Sequence, residues 1–360
     1  MKISTWIDRL AGVVLALAIA RVLGPDALGE WTLVLVTVWV LSPWPEGSLT
    51  TRLGAGLLGL AGVACVSWAW TAGWERHALL WTVAVGMFSI RIVHALPGHW
   101  RWRLAGSSIS FVIGLVTLLL TKSVLATSLA VALAACAVAL IGSVRYRASF
   151  GAFTAISWRR WFESLIIMMI QAQAILWAYA RGLSETAIGE LAAVLFIFEC
   201  FKVGLVVIAV RFDALLEKFA QTRESFLETV RSMAAYALLF MPPFVLGAYF
   251  LAGPLINWTL GPSFSTSVSL MRILIWGFGL SFLSLIGTRV LAAKGLRTLT
   301  ARVTAGAIEA GLDWFWIPMM GLEGACYARV IGEALFFLFI SVQMVLDVPD
   351  LINPFRKTFG

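Results

Sequence analysis

Charged side chains stand inside otherwise apolar stretches of this chain, among them Arg91, Lys202, Arg272, Arg289 and Arg329, and Glu199, Glu309, Asp313 and Glu333. A charge at the centre of an apolar span costs about 2.5–3.5 kcal/mol on insertion scales, so it tends to face a cavity or an opposite charge. The five cations read as the lining of a cationic cavity for a pyrophosphate or an acidic sugar, because the planar guanidinium donates two parallel hydrogen bonds to such groups. The four carboxylates read as candidate sites for a coupling ion or proton. A plainer reading stands beside this one. Glu199 and Lys202 are spaced i, i+3, and Arg329 and Glu333 i, i+4, so each pair can neutralise itself along one helix. Arg272 and Arg289 can snorkel to the membrane interface. Arg91, with His94 nearby and no acid in its span, is the strongest cavity candidate. Glu309 and Asp313 lie four apart with no base within a turn of either, which suits either ion coupling or pairing with a neighbouring helix.

The surroundings of these charges define the class of molecule. Hydrophobic residues make up 61% of the chain, charged residues 13%, and mean hydropathy is +0.92, whereas a soluble domain carries roughly 25% charged residues. The protein is therefore an integral membrane protein. Its net charge of +8 does not point to nucleic acid, because the basic residues sit in short loops and form no patch with interleaved aromatics. Cys65, Cys136, Cys200 and Cys326 fall inside apolar runs without metal-ligand spacing and read as small core residues. No cofactor or metal is expected, and no phosphate-binding GxxxxGK[ST] loop occurs. The first apolar stretch, followed by many others, reads as an uncleaved helix.

A membrane helix needs about 20 mostly apolar residues. Charged and Pro/Gly-rich breaks divide the chain into twelve spans, roughly 3–22, 29–45, 53–74, 78–97, 104–121, 123–143, 161–181, 187–210, 232–253, 267–293, 298–318 and 322–346. Alternate loops then hold very unequal numbers of basic residues. One set contains eighteen, from Lys2 and Arg9 to Arg356 and Lys357, and the other only Arg21, Arg76, Lys122 and Arg181. The positive-inside rule puts both termini in the cytoplasm. The tryptophans near span ends, such as Trp44, Trp74, Trp100 and Trp158, suit interfacial anchoring. Within Arg211–Arg231, Phe212, Leu215, Leu216 and Phe219 have the spacing of an amphipathic helix on the cytoplasmic face or of a connector helix.

Ala20–Leu35, ARVLGPDALGEWTLVL, recurs 160 residues later as Ala180–Leu195, ARGLSETAIGELAAVL, with eight of sixteen positions identical. The copies follow spans 1 and 7, so the halves run in the same direction, as parallel repeats do in many transporters. The expected organisation is a six-helix bundle over 1–144, a basic cytoplasmic linker over 145–160 and a second six-helix bundle over 161–360. Gly24–Pro25 supplies a tight exit from span 1, and Gly29 permits close helix packing as span 2 begins; Gly189 is its structural counterpart in the repeat. Arg21 with Glu30, and Arg181 with Glu190, are expected to pair near the outer surface.

Several motifs together resemble one family. ARVLGPDALGEW is similar to the ARLLGPEEFGLY signature of bacterial polysaccharide flippases, the O-antigen and exopolysaccharide translocases. LSETAIGELAAVLFIFE resembles their LGLYAAAYRIVE region, and LGPSFSTSVSLMRIL over Leu260–Leu274 their FGPEFAPAVPVLRIL. Arg289–Glu333 is similar to their VLIALGR…NIVLNLLLIPRYGALGAAIATVISE stretch. The matches occur in the family's order and cover most of the chain. The resemblance implies the fold of the multidrug/oligosaccharidyl-lipid/polysaccharide exporters: two six-helix bundles that alternate access across the bacterial inner membrane. The implied cargo is a glycan linked to undecaprenyl pyrophosphate, and other polysaccharide-assembly proteins are implied partners. The chain departs from the family in its length, in the short Pro45–Leu53 connection and in Asp8 and Arg9 of span 1. A drug or metabolite antiporter on the same fold is the alternative. An enzyme is not expected, because the outer loops are short.

Overall fold

The computed structural model describes residues 3–41, 60–64, 74–95, 100–145, 158–219, 223–296 and 298–347. Among them twelve helices follow one another: α1 (Ile3–Leu23), α2 (Pro25–Leu41), α3 (described over 60–64), α4 (Trp74–Ala95), α5 (Trp100–Thr121), α6 (Val124–Arg145), α7 (Trp158–Ala180), α8 (Glu185–Phe219), α9 (Arg223–Thr259), α10 (Ser267–Ala293), α11 (Leu299–Met320) and α12 (Leu322–Asp347). The protein is an all-helical, multi-pass membrane protein. Its surface is unlike a soluble protein's, being broadly apolar, while several charges are buried. Glu309, Asp313, Arg329 and Glu333 are buried, while Leu239 and Phe240 of α9 and Leu140 of α6 are each more than 60% exposed. Only a solvent as apolar as lipid makes that arrangement stable.

The turns follow from local chemistry. Gly24 adopts φ +88° and its amide caps α1 on the Ala20 carbonyl, after which Pro25 opens α2 with φ already set for a helix. The second copy turns differently: Gly182 takes the positive φ, and the Ser184 hydroxyl accepts the Ala187 amide as an N-cap. Between α5 and α6 the chain reverses over Lys122 and Ser123. Lys122 lies in the left-handed region at φ 50°, and Ser123 caps α6 through the Ala126 amide.

The chain divides into two compact units, residues 1–196 with 259–264, and 197–258 with 265–360. In the first, α6 packs on α4 and α5, α1 packs on α5 and α2, and α2 packs on α4 and α7. In the second, α12 packs on both α10 and α11. Phe278 of α10 meets Phe198, Phe201 and Phe244 at centroid distances of 6.3, 5.6 and 5.1 Å, joining α8, α9 and α10 through one aromatic cluster.

One local expectation changes. The polar Arg211–Arg231 stretch does not form a helix of its own: α8 continues to Phe219 and α9 starts at Arg223, giving helices of 35 and 37 residues. At 1.5 Å rise per residue each is roughly 50 Å long. The polar stretch therefore extends two spanning helices. Pro242, Pro243 and Pro254 lie inside α9, and each removes a backbone donor from its ladder.

Candidate functional site

Two constellations gather the residues singled out by sequence. The first lies in the first unit, where the two copies of the repeat meet. Asp26 accepts a hydrogen bond from the Thr186 hydroxyl, and these positions are 160 apart. A β-carbon on Gly29 would overlap the Glu185 carbonyl, and one on Gly189 would overlap the Pro25 carbonyl. Each would stand 3.0 Å from the backbone nitrogen of the other glycine. Pro25 corresponds to Glu185 and Gly29 to Gly189, so the contact is reciprocal. The start of α2 lies against the start of α8 by equivalent residues, as closely as backbone permits. The close-packing role assigned to Gly29 is thereby given a partner, its own repeat.

A cation outside the repeat fastens this crossing. Arg76, in the first turn of α4, makes ion pairs with Glu30 of α2, at 3.5 Å, and with Glu185 of α8. Sequence spacing pairs Glu30 with Arg21. Glu30 makes an ion pair with Arg76, because α4 begins beside both repeat helices; Arg21 extends over Gly261, where a β-carbon would lie 2.8 Å from its guanidinium. Glu30 also lines a cavity of about 340 Å³ with Glu75 and Lys122. That cavity carries both signs of charge and differs from a purely cationic vestibule.

The second constellation lies in the second unit. Along α12, Arg329 and Glu333 share one face at i, i+4; along α11, Glu309 and Asp313 do the same. The Arg329 guanidinium donates to Glu309 at 3.0 Å and stands 3.5 Å from Glu333. Glu333 also accepts from Lys202 at 2.8 Å and from Arg302 at 3.4 Å, and Lys202 lies 3.7 Å from Glu199. Gly332 makes this possible, since a β-carbon there would occupy the space of the Glu309 carboxylate. Rings add support: Lys202 lies 4.5 Å over Phe198, and Arg302 4.9 Å over Phe336. Three cations thus face four carboxylates. The surplus carboxylate is Asp313, fully buried, with no hydrogen-bond partner on either oxygen among the described residues.

The expected cationic set is therefore divided. Lys202 and Arg329 are held by carboxylates and belong to an ionic cluster. Arg272 is exposed on α10, and Arg289 is half-buried on the same helix. Arg91 is in α4, but its side chain and that of His94 lie outside the described residues. Of the acids, Glu309 and Glu333 are paired, Glu199 is half-buried beside Lys202, and Asp313 stands over. Within-helix spacing anticipates the Glu199–Lys202 and Arg329–Glu333 contacts. It misses Lys202–Glu333 and Arg329–Glu309, which join different helices. It also misses Arg302 and Arg76, both of which read as loop charges although each lies in a first helical turn. The i, i+4 placement of Glu309 and Asp313 is the only signal that α11 turns an acidic face inward. Cys136, Cys200 and Cys326 are free thiols, and Cys65 lies outside the described residues.

The fold places this geometry in a class. The chain has the fold of transporters of the multidrug/oligosaccharidyl-lipid/polysaccharide exporter superfamily. It is similar to the lipid II flippase MurJ in an inward closed conformation, with a TM-score of 0.68 and 13% identity over 96% of this chain and 87% of that one. It is also similar to a multidrug resistance MATE transporter of the MOP superfamily. The inward-facing form gives a TM-score of 0.61 at 13% identity over 99% of this chain and 97% of that one. The outward-facing form gives 0.56 at 13% identity, over 98% and 95%. These structures are a flippase and transporters rather than enzymes. No protein-family model matches the chain, and no curated protein matches it in sequence.

Proposed function

We propose that this protein moves a lipid-linked oligosaccharide or polysaccharide precursor across the bacterial cytoplasmic membrane by alternating access, as a member of the polysaccharide flippases. The observation that carries this reading is the likeness, along 96% of the chain, to a flippase of a lipid-linked substrate. The order of flippase-like motifs along the sequence supports it. In this reading the carrier is undecaprenyl pyrophosphate, both termini are cytoplasmic, and other polysaccharide-assembly proteins supply and receive the cargo. Arg91 and Arg289 are the proposed contacts for the pyrophosphate, whose paired oxygens suit a guanidinium fork. Lys202 and Arg329 act through the carboxylates that hold them. Among Glu199, Glu309, Asp313 and Glu333, the surplus carboxylate Asp313 is the proposed point for a coupling ion or proton, because an isolated buried carboxylate is expensive.

A small-molecule antiporter on the same fold is the second reading, favoured by the MATE likeness and by the lone acid Asp313. Deleting the gene in its host and analysing both surface polysaccharide and the undecaprenyl-linked pool separates the two. Loss of surface glycan with lipid-linked units accumulating inside is the expected result. Unchanged glycan with altered sensitivity to small toxic compounds overturns the flippase reading in favour of the antiporter.

A further inference from the structure

Arg272 stands apart from the ionic cluster of the second unit. It is exposed on α10, and among the described residues no carboxylate pairs with it. Its guanidinium lies 5.5 Å from the ring centroid of Tyr249 on α9. The Tyr249 ring lies 6.3 Å from that of Trp276 and 5.6 Å, edge-on, from that of its neighbour Phe250. Trp276 lies one turn beyond Arg272 on the same face of α10. α10 begins at Ser267, so the Cα of Arg272 sits roughly 7.5 Å into the helix at 1.5 Å per residue. An arginine this near the end of a span reaches the headgroup level by snorkelling. Trp258, 81% exposed near the end of α9, has the residue type and exposure of an interfacial anchor.

We infer that Arg272, beside Tyr249 and Trp276, binds the phosphate headgroup of an anionic membrane phospholipid. A ring face at this distance attracts the cation without consuming any of its N–H donors, which stay available for two phosphate oxygens. The last turns of α9 expose Phe250, Leu251 and Trp258. An acyl chain covers such a surface, and a soluble anion leaves it bare. Charge and apolar surface together therefore specify a lipid. On the proposed orientation the site faces the outer leaflet. It goes beyond the transport reading and rests only on the chain's standing in a bilayer, so a failed deletion phenotype leaves it untouched.

Native mass spectrometry of the full chain in detergent, titrated with dioleoylphosphatidylglycerol, tests the site. Arg272→Gln is expected to weaken the tightest lipid-binding step about tenfold, the loss of a charge-assisted hydrogen-bond pair. Arg272→Lys, which keeps the charge without the fork, should fall between that variant and the unaltered protein. Undiminished binding by Arg272→Gln overturns the assignment. If that variant does not fold, Tyr249→Leu decides: a several-fold loss supports the site of Arg272 beside the ring, and unchanged binding overturns it. Displacement of the lipid by millimolar inorganic phosphate would make the site one for soluble anions. Displacement by an equal concentration of undecaprenyl phosphate would assign Arg272 to the cargo. Either displacement overturns the phospholipid assignment.

Discussion

The crossing of α2 with α8 and the ionic cluster of α8, α11 and α12 are both close helix contacts, made from opposite materials. At the crossing, glycines remove side chains until backbone meets backbone, and the partners are equivalent residues of a repeat. In the cluster, Gly332 makes room for a buried carboxylate, and the partners are unlike residues on three helices. The helix α8 takes part in both, and its sequence changes character between them. Up to Leu195 it matches α2 at the 160-residue offset. Glu199 and Lys202 fall opposite Trp39 and Ser42, so the second half carries charges that the first half lacks. Symmetry accounts for the packing, and departure from symmetry for the buried charges.

The sharpest test of the comparison asks whether the symmetric contact opens. Asp26→Cys combined with Thr186→Cys places two thiols where a side-chain hydrogen bond now stands. If alternating access requires the repeat copies to part, oxidation should reduce transport to background and reduction should restore it. Each single cysteine variant should transport normally. A fully cross-linked protein that still transports would show that the crossing is a static joint. The readout is surface glycan in cells carrying the variant as their only copy of the gene.

The asymmetric contact is expected to be the more fragile in stability. Arg329→Leu leaves Glu309 buried without its cation, while Glu333 keeps Lys202 and Arg302. Breaking one side of a buried pair costs about 3–5 kcal/mol, whereas replacing both sides by apolar groups is often neutral. The single variant should therefore lower the thermal midpoint in detergent strongly, and Glu309→Leu with Arg329→Leu should recover most of the loss. Equal losses in single and double variants would mean that Arg329 acts chiefly through Glu333.

The same contrast explains what can be read from sequence. Apolar run lengths give the helices, and the Gly24–Pro25 exit and the Lys122 reversal are legible because backbone conformation is a local property. The crossing is half legible. Gly29 and Gly189 stand out as repeated residues, but nothing in one dimension says that a repeat packs on itself. The cluster is legible only along each helix, as Glu199–Lys202 and Arg329–Glu333. Its strongest contacts, Lys202–Glu333 and Arg329–Glu309, depend on how α8, α11 and α12 pack. Arg302 and Arg76 are hidden for another reason. A base in the first turn of a helix looks, in sequence, like a base in the preceding loop.

Glycine substitutions probe the crossing itself with smaller expected effects. Gly29→Ala and Gly189→Ala each push a methyl group into a backbone carbonyl of the other helix, and overpacking of that kind costs about 1–3 kcal/mol. Because the contact is reciprocal, the two losses in thermal stability should be similar. Gly204 and Gly311 also lie within helices, and a β-carbon at either would meet nothing within 4 Å among the described residues. Alanine there should be tolerated or should gain up to about 1 kcal/mol of helix propensity. Similar effects at all four positions would mean that close approach at Gly29 and Gly189 has no energetic weight.

Arg76 offers the gentlest test, because it touches both sides of the crossing without forming its core. Its side chain is 31% exposed, as is Glu30, and Glu185 is 35% exposed. Ion pairs this accessible are screened by solvent and contribute about 0–1 kcal/mol each. Arg76→Gln should therefore leave expression and thermal stability within about 1 kcal/mol of the unaltered protein. If Arg76 serves only to hold the crossing shut, the Asp26→Cys, Thr186→Cys pair should oxidise more slowly on the Arg76→Gln background, since the thiols would spend less time together. An unchanged oxidation rate would assign closure to the glycine contact alone, and Arg76 to fixing the start of α4.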